Sequence, residues 1–368
     1  MPSNKNESKP SVAFYIDCMQ KGGANRVVAN LVSAFADNDY RVILINDTAS
    51  DDEELEYRVD TRVNRIILCG KDEKKRLSNF RRIRKLRKII KKDGIDVVVS
   101  FMGPPNIRLL SAGIGLKCRK IVSVRNDPNI EYGASKTKRF LTNLIFRLSD
   151  GCVFQTNDAK RYFCKTVQKR SKVILNPVDP AFYKVERKKE RKNIVTVGRL
   201  FDQKNHLMLI DAFNMVKDNF PDNDLMIYGE GPLRKTLEDH ISGLGLSERV
   251  FLPGQVSNVT GILSGAAVFV LSSKYEGLPN ALMEAMAVGL PVISTDCPCG
   301  GPRSLIDDRD DGLLVGCDDT AGMAEALSKV LSDGALSEKL GDGARKKALS
   351  FAPDVIYNKW EEFLLECK

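Results

Sequence analysis

Val12-Ala-Phe-Tyr-Ile-Asp17 is an unbroken apolar run closed by an acid. Lys21-Gly22-Gly23 follows it, and then helical periodicity over residues 24–36. A short run with no polar alternation reads as a strand buried on both faces, the kind found in parallel sheets. The same unit recurs. Further strands are predicted at 41–46, 64–68, 96–101, 120–124, 151–156 and 172–175, with a second long helical pattern over 77–92. Asn176-Pro177-Val178-Asp179 is a turn signal, and residues 184–192 are charged and nearly devoid of apolar side chains. The alternation then resumes at 193–198, 224–228, 249–252, 267–271, 291–295 and 312–315. Strands alternating with helices are βαβ units. The expected fold class is therefore α/β, with two doubly wound Rossmann-like domains facing a central cleft. The expected boundaries are 1–180, a linker at 181–192, 193–350, and a last amphipathic helix within 351–368. That helix carries Val355, Ile356, Trp360, Phe363 and Leu364 on one stripe.

The whole chain of 368 residues is 43% hydrophobic and 29% charged, an ordinary globular composition that excludes disorder and collagen-like folds. No apolar run approaches the ~20 residues of a membrane span, and the polar start at 1–10 does not read as a secretory signal. A cytoplasmic protein is expected. The nine cysteines are scattered through apolar runs and read as reduced, packed thiols. Cys297 and Cys299 lack a second pair, and two His are too few for a His-rich metal centre. The net charge of +9 is uneven. Met1 to Pro180 holds 35 Lys or Arg against 20 Asp or Glu, a net +15, which leaves −6 for the remainder. A basic half points to an anionic partner.

Three stretches carry chemistry. Gly22 and Gly23 sit between a strand and a helix start, where backbone can approach an anion closely; the plain alternative is a tight turn. Arg199 and Lys204 flank the first strand–helix turn of the second domain, within Val197-Gly198-Arg199-Leu200 and Gln203-Lys204-Asn205-His206. Ligands of open α/β sheets bind at such strand ends, and two cations there can neutralise a diphosphate without a metal. The third is Ser273-Lys-Tyr-Glu276-Gly277-Leu278-Pro279-Asn280-Ala-Leu-Met-Glu284. Pro279 suits the first turn of a helix, and Asn280 and Glu284 share one face of it. Two carboxylates in one strand-end cleft are acceptors for sugar and ribose hydroxyls; the plain alternative is a cap and an exposed helical Glu.

Together these motifs resemble the family-4 glycosyltransferases, retaining enzymes of the GT-B fold. Glu276-x7-Glu284, Gly-Arg-Leu-x-x-Gln-Lys-Asn, the early Gly-Gly loop, Asp311-Gly312-Leu313-Leu314-Val315 and Asn176-Pro177-Val178-Asp179 occur in the family's order over nearly the whole chain. Within that family the chain is most similar to bacterial transferases that extend undecaprenyl-diphosphate-linked glycans with N-acetylgalactosamine or related sugars. The resemblance implies a nucleotide-sugar donor, UDP-linked, a polyprenyl-diphosphate-linked or other glycan acceptor on the first domain, and a last helix packing back on that domain. It also implies roles. Arg199 and Lys204 hold the donor diphosphate, Glu284 the ribose hydroxyls and Glu276 the transferred sugar, within the donor-binding run Gly277, Leu278, Pro279, Asn280. Gly22 and Gly23 close on the phosphates, and backbone at Gly254 and Gln255 meets the base. Many members carry a His after the strand at 120–124. Here Val124-Arg125-Asn126-Asp127 stands instead, and Arg125 is assigned a contact to donor sugar or phosphate, since it cannot be a base at neutral pH.

No cofactor and no metal are expected. Asp222-Asn-Asp224 and Asp37-Asn-Asp39 have the letters of a metal-binding pair but stand in turns. From Lys71 to Lys92 there are twelve Lys or Arg against two acids, with Leu77, Phe80, Ile83, Leu86 and Ile90 at helical spacing. This basic amphipathic helix is expected to pack by its stripe and to meet an anionic membrane surface by its charge, with Lys136, Lys138 and Arg139 extending it. Peripheral association with the cytoplasmic membrane face follows. A nucleic-acid-binding protein is the rival class. It lacks its motifs here, and aromatics are not interleaved with the charge. A nucleotide-sugar epimerase or hydrolase of the same fold is the nearer rival.

Overall fold

In the computed structural model, which describes residues 9–20, 22–49, 56–70, 79–188 and 190–366, all thirteen expected strands are present. Each lies within two residues of its predicted bounds. The first seven are β1 (Val12–Ile16), β2 (Val42–Thr48), β3 (Asn64–Cys69), β4 (Val97–Phe101), β5 (Arg119–Ser123), β6 (Gly151–Phe154) and β7 (Ser171–Val173). They form one parallel sheet in the order β3-β2-β1-β4-β5-β6-β7. The chain winds outward in one direction from β1 and in the other from β4, so β1 and β4 flank the switch point of this sheet. Every residue of β1 and β4 is buried, as their continuous apolar character requires.

The second sheet comprises β8 (Asn193–Val197), β9 (Leu225–Tyr228), β10 (Val250–Gly254), β11 (Ala266–Leu271), β12 (Val292–Thr295) and β13 (Leu313–Val315). It too is parallel, in the order β10-β9-β8-β11-β12-β13. Its switch point lies between β8 and β11, where Ala266 registers with Asn193 and Phe269 with Val195. Helices His206–Val216 and Thr320–Ser332 supply Leu209, Phe213, Met323 and Leu327 to the core on one face.

The chain divides into two units, residues 1–175 with 357–368, and residues 176–356. The sequence boundary at 180 and the linker at 181–192 are thus displaced. The residues after 176 join the second unit by specific bonds: Val178 N donates to Phe351 O, and Lys188 N to Ser264 O. Arg187 and Arg191 both pair with Glu338. The last helix, Pro353–Glu366, contributes from Tyr357 onward to the first unit, where Trp360 is fully buried against Phe101. No helix among the described residues is long and apolar enough to cross a membrane. The eight described cysteines are all free, five of them buried.

Candidate functional site

The carboxyl ends of β8 and β11 bring two of the expected residues together. Lys204 ends the short turn of helix Asp202–Lys204 after β8, and Glu276 lies in the loop after β11. Lys204 Nζ donates to Glu276 Oε1 at 2.5 Å, and Ser273 Oγ donates to the same oxygen at 2.8 Å. Glu276 is 7% exposed, so its charge is carried largely by these two donors. The two loops are tied further: Gln203 Nε2 donates to Tyr275 O, Lys274 N to Gln203 O, and Ser272 Oγ to Lys204 O. Thr295, at the end of β12, donates to Ser273 O at 2.6 Å. Asn205 takes a left-handed conformation, φ +50°, and lets helix His206–Val216 start immediately after the turn.

Arg199 is exposed, with its guanidinium 4.9 Å from the Phe201 ring. It stands one residue past Gly198, so a second, exposed cation lies in the same strand–helix turn as Lys204. Glu284 is only 5% exposed, on helix Asn280–Val288. The expectation of an exposed helical Glu as the plain alternative therefore fails. Pro279 caps that helix rather than opening it, and Asn280 accepts from Asn176 Nδ2 at 2.6 Å. Gly277, Leu278 and Pro279 are buried, and their loop is packed backbone to backbone on helix Gly301–Leu305. A methyl group at Gly301 would sit 2.0 Å from Gly277 O.

Strands β8, β9 and β10 end side by side on glycine. Gly198 N donates to Tyr228 O, and Gly229 N to Gly254 O. Gly229 has φ +145°, and a side chain there would come within 1.9 Å of Gly198 O. These strand ends form a glycine ledge, with the Lys204 stem against Gly198 and the Glu230 carboxylate and Arg234 guanidinium against Gly254. Gly254 and Gln255 close its far edge. Gln255 is exposed and lines a cavity of about 890 Å³ with Tyr228, Asn258 and Lys188, which none of Arg199, Lys204, Glu276 or Glu284 lines. Sequence reading found Gly198, Gly254 and both loops. It missed Gly229, Gly301, Ser273 as a partner, and Thr295. Tyr228-Gly-Glu-Gly231 after a strand was the signal for Gly229; Gly301 and Thr295 had none.

His206 is buried at the start of its helix, and burial together with the nearby Lys204 ammonium pulls its imidazole down to about 4. His240, on the helix Arg234–Gly243, meets Asp211 at 2.6 Å.

The remaining expected residues belong to the first unit. Gly22 caps helix Gly23–Asp37 in the loop after β1, beside the switch point. It is exposed and extended, and a methyl group there would meet nothing closer than 3.7 Å, so the fold itself does not demand glycine. Lys21 lies outside the described residues. Arg125 follows β5, is 8% exposed, and has its guanidinium 5.0 Å from the Phe101 ring and 5.4 Å from that of Trp360. Burial pulls it down to about 9, so it stays charged at neutral pH. Of the basic stretch, helix Asn79–Lys92 is described, with Leu86 and Ile90 buried; residues 71–78 lie outside the described residues. Asp224 pairs with Arg249, and Asp37 with Arg62. Among the described residues no group of three or more His, Cys, Asp or Glu is placed to hold a metal ion.

Comparison with known proteins fits this geometry. The chain matches the family described as glycosyltransferase family 4 over residues 21–182, and that described as glycosyl transferases group 1 over residues 179–347. It is 31% identical to a Campylobacter jejuni protein, over 97% of this chain and 99% of that one. That relative is named GalNAc-alpha-(1->4)-GalNAc-alpha-(1->3)-diNAcBac-PP-undecaprenol alpha-1,4-N-acetyl-D-galactosaminyltransferase. A second protein of that organism is 28% identical over 92% of this chain and 95% of its own. It is named N-acetylgalactosamine-N,N'-diacetylbacillosaminyl-diphospho-undecaprenol 4-alpha-N-acetylgalactosaminyltransferase. Among solved structures, sucrose-phosphate synthase of Thermosynechococcus elongatus superposes with a TM-score of 0.80 at 18% identity, over 97% of this chain and 99% of that one. Anabaena HepE in complex with UDP and glucose gives 0.80 at 16%, with the same coverage.

Proposed function

The chain belongs to glycosyltransferase family 4, and on that premise we propose that it transfers N-acetylgalactosamine, or a related N-acetylhexosamine, from a UDP-linked donor to a saccharide carried on a polyprenyl diphosphate. The pairing of Lys204 with Glu276 at the β8/β11 switch point, with the exposed Arg199 in the same turn after β8, carries this reading. Likeness to a lipid-linked N-acetylgalactosaminyltransferase over 97% of the chain supports the acceptor class.

In this reading Arg199 and Lys204 bind the donor diphosphate, Glu276 with Gly277, Leu278, Pro279 and Asn280 holds the sugar, and Glu284 takes the ribose hydroxyls. The base lies over the ledge toward Gly254 and Gln255. Gly22 and Gly23 give the first unit a loop that tolerates close approach to phosphate. Arg125 contacts the donor sugar or phosphate through the small part of its surface that burial leaves. The bond from the anomeric carbon to phosphate oxygen breaks with its electron pair on the diphosphate. The acceptor hydroxyl attacks from the same face and gives its proton to that leaving oxygen, so configuration is retained. Fixed cations at the leaving group are worth most where water is excluded. We assign the reaction no metal. Activity that vanishes in EDTA and returns with Mg²⁺ would contradict that assignment.

We place the enzyme on the cytoplasmic face of the membrane, held by the anionic surface through Lys71 to Lys92, with no nucleic acid involved. The test is a panel of nucleotide sugars offered with polyprenyl-diphosphate saccharides, the product linkage read by NMR. Transfer of an N-acetylhexosamine with an α-anomeric product is expected. Release of free sugar with every acceptor would turn the assignment to a hydrolase.

A further inference from the structure

Helix Lys136–Phe146 in the first unit is apolar on the wrong side. Its inward face buries Thr142 and Phe146. Yet Phe140 is 68% exposed, Leu141 and Leu144 are each 52% exposed, and Leu148, just past the helix, is 46% exposed. At 3.6 residues per turn these four fall within an arc of about 100°, opposite the buried face. A surface helix of a globular domain normally turns charged and polar side chains to water there. Lys136 and Arg147 fringe one edge of the arc and Lys138 the other, all exposed.

The helix does not stand alone. Helix Gly103–Ala112 packs against both it and helix Asn79–Lys92. These helices follow β3, β4 and β5, and right-handed crossovers place all three on one face of the sheet. Six exposed Lys or Arg on the first helix and three on the third meet no Asp or Glu anywhere on the three helices, while Arg82 and Arg108 turn inward to the buried Asp47. On Asn79–Lys92, Phe80 is 66% exposed beside the exposed Arg84, Lys88 and Lys91. The outer surfaces of the first and third helices are therefore cationic, and the third carries the apolar ridge.

We propose that Phe140, Leu141, Leu144 and Leu148 form an apolar anchor that enters the interfacial layer of an anionic bilayer, with the surrounding cations on the headgroups. The proposal rests on the membrane reading above and adds to it a point of insertion at residues outside the basic stretch. Charge complementarity selects the occupant. Lysine is depleted at protein–protein interfaces, whereas a ridge of Phe and Leu fringed by Lys and Arg is the pattern of helices that lie in a headgroup layer. Long cationic stems can lie along the acyl boundary with their charges in the headgroups. Apolar side chains buried about 5–10 Å deep then add to the electrostatic attraction.

The only Trp of the chain, Trp360, is fully buried, so Phe140→Trp gives a reporter on a constant background. The probes are vesicles of phosphatidylcholine with and without phosphatidylglycerol, and matching vesicles with brominated acyl chains. Insertion predicts a blue shift and bromine quenching of the Phe140→Trp protein on anionic vesicles. It also predicts at least about tenfold weaker partitioning of the Phe140→Ser/Leu144→Ser double variant to those vesicles, with transfer to a water-soluble short-chain acceptor unchanged. Full binding to anionic vesicles without bromine quenching overturns the insertion and leaves the electrostatic reading intact. Binding that ignores the anionic lipid overturns both. A dimer in solution that the double variant abolishes assigns the ridge to a second copy of the chain and also overturns the proposal.

Discussion

Lys204 and Glu276, 72 residues apart, meet at 2.5 Å across the switch point of the second sheet. The carboxylate is nearly buried, so the ammonium both completes the site and holds the loop after β11. Lys204→Met removes one partner of a mostly buried pair, which costs about 3–5 kcal/mol. On the proposed diphosphate role it also removes a charge from the leaving group, worth about 10²–10³ in kcat. Lys204→Met with Glu276→Gln should recover most of the stability, because no buried charge is left alone, and none of the activity. Thermal melts and initial rates on the four proteins of the cycle separate the two effects. Recovered activity in the double variant would end the diphosphate role of Lys204.

Arg199 makes the opposite case. It is exposed and stacks on Phe201. Arg199→Ala should leave stability within about 0.5 kcal/mol and lower turnover at least tenfold. Arg199→Lys should recover only part of that loss, because a point charge cannot reproduce a bidentate grip on phosphate. Unchanged initial rates at saturating donor would reduce Arg199 to a surface charge.

The strands were legible because parallel sheets buried on both faces need unbroken Val and Ile, and nothing else in the chain has that pattern. The place of Arg199, Lys204 and Glu276 after β8 and β11 was legible, because the strand pattern fixes where each strand ends. Their pairing was not. Ser273, Thr295 and Gly301 act through contacts between loops far apart in sequence, and no spacing encodes them. The domain boundary was read too late for a related reason. The charged stretch at 184–192 looks like a linker, but its backbone and its Arg187 and Arg191 bind the second unit. The outward apolar face of helix Lys136–Phe146 was hidden as well, since periodicity shows a stripe and not which side meets the sheet.

The glycine ledge can be probed without touching a charged group. Gly229 is left-handed in φ and abuts Gly198 O, so Gly229→Ala forces backbone apart at the strand ends. Gly301→Ala pushes on Gly277 O and with it on Glu276. Both should raise the KM for nucleotide sugar severalfold or more and lower the Tm. Gly22→Ala, with open space at its position, should leave the Tm unchanged. A lower turnover in that variant then reports the loop's approach to substrate.

The two units should answer acid in opposite directions. His206 titrates at about 4 in the fold against 6.5 in the unfolded chain, because burial and Lys204 disfavour its charged form. Between those values the unfolded chain binds the extra proton. Stability of the second unit is therefore full above pH 6.5 and is lost as pH falls toward 4, by up to about 3 kcal/mol. Glu131, which accepts from Gly103 N, is pushed by burial from 4.5 up to about 7. There the folded state holds the extra proton, so the first unit loses stability as pH rises from 4.5 to 7. Hydrogen exchange at pH 5 and 7.5, corrected for intrinsic rates, should show protection moving in opposite senses. His206→Gln should flatten the response of the second unit alone, and Glu131→Gln that of the first. Parallel responses in both units would refute the assignment.

Arg125 separates charge from packing. Its guanidinium lies near the Phe101 and Trp360 rings, where the attraction of a cation to a ring face is about 0.5–2 kcal/mol. Burial opposes the charge strongly enough to pull the group to about 9. Arg125→Met keeps apolar bulk beside the two rings and removes the charge together with the interactions the guanidinium makes. Its Tm then reports the loss of those interactions and its kcat the loss of the charge. If the charge serves the donor, kcat should fall at least tenfold in the same protein. Arg125→Lys should melt lower than both, since a compact ammonium is more strongly hydrated and cannot stack. The diagnostic pattern is a Met variant that stays folded and is less active. A Met variant with normal turnover would leave Arg125 as packing alone and would remove the only cation of the first unit assigned to the donor.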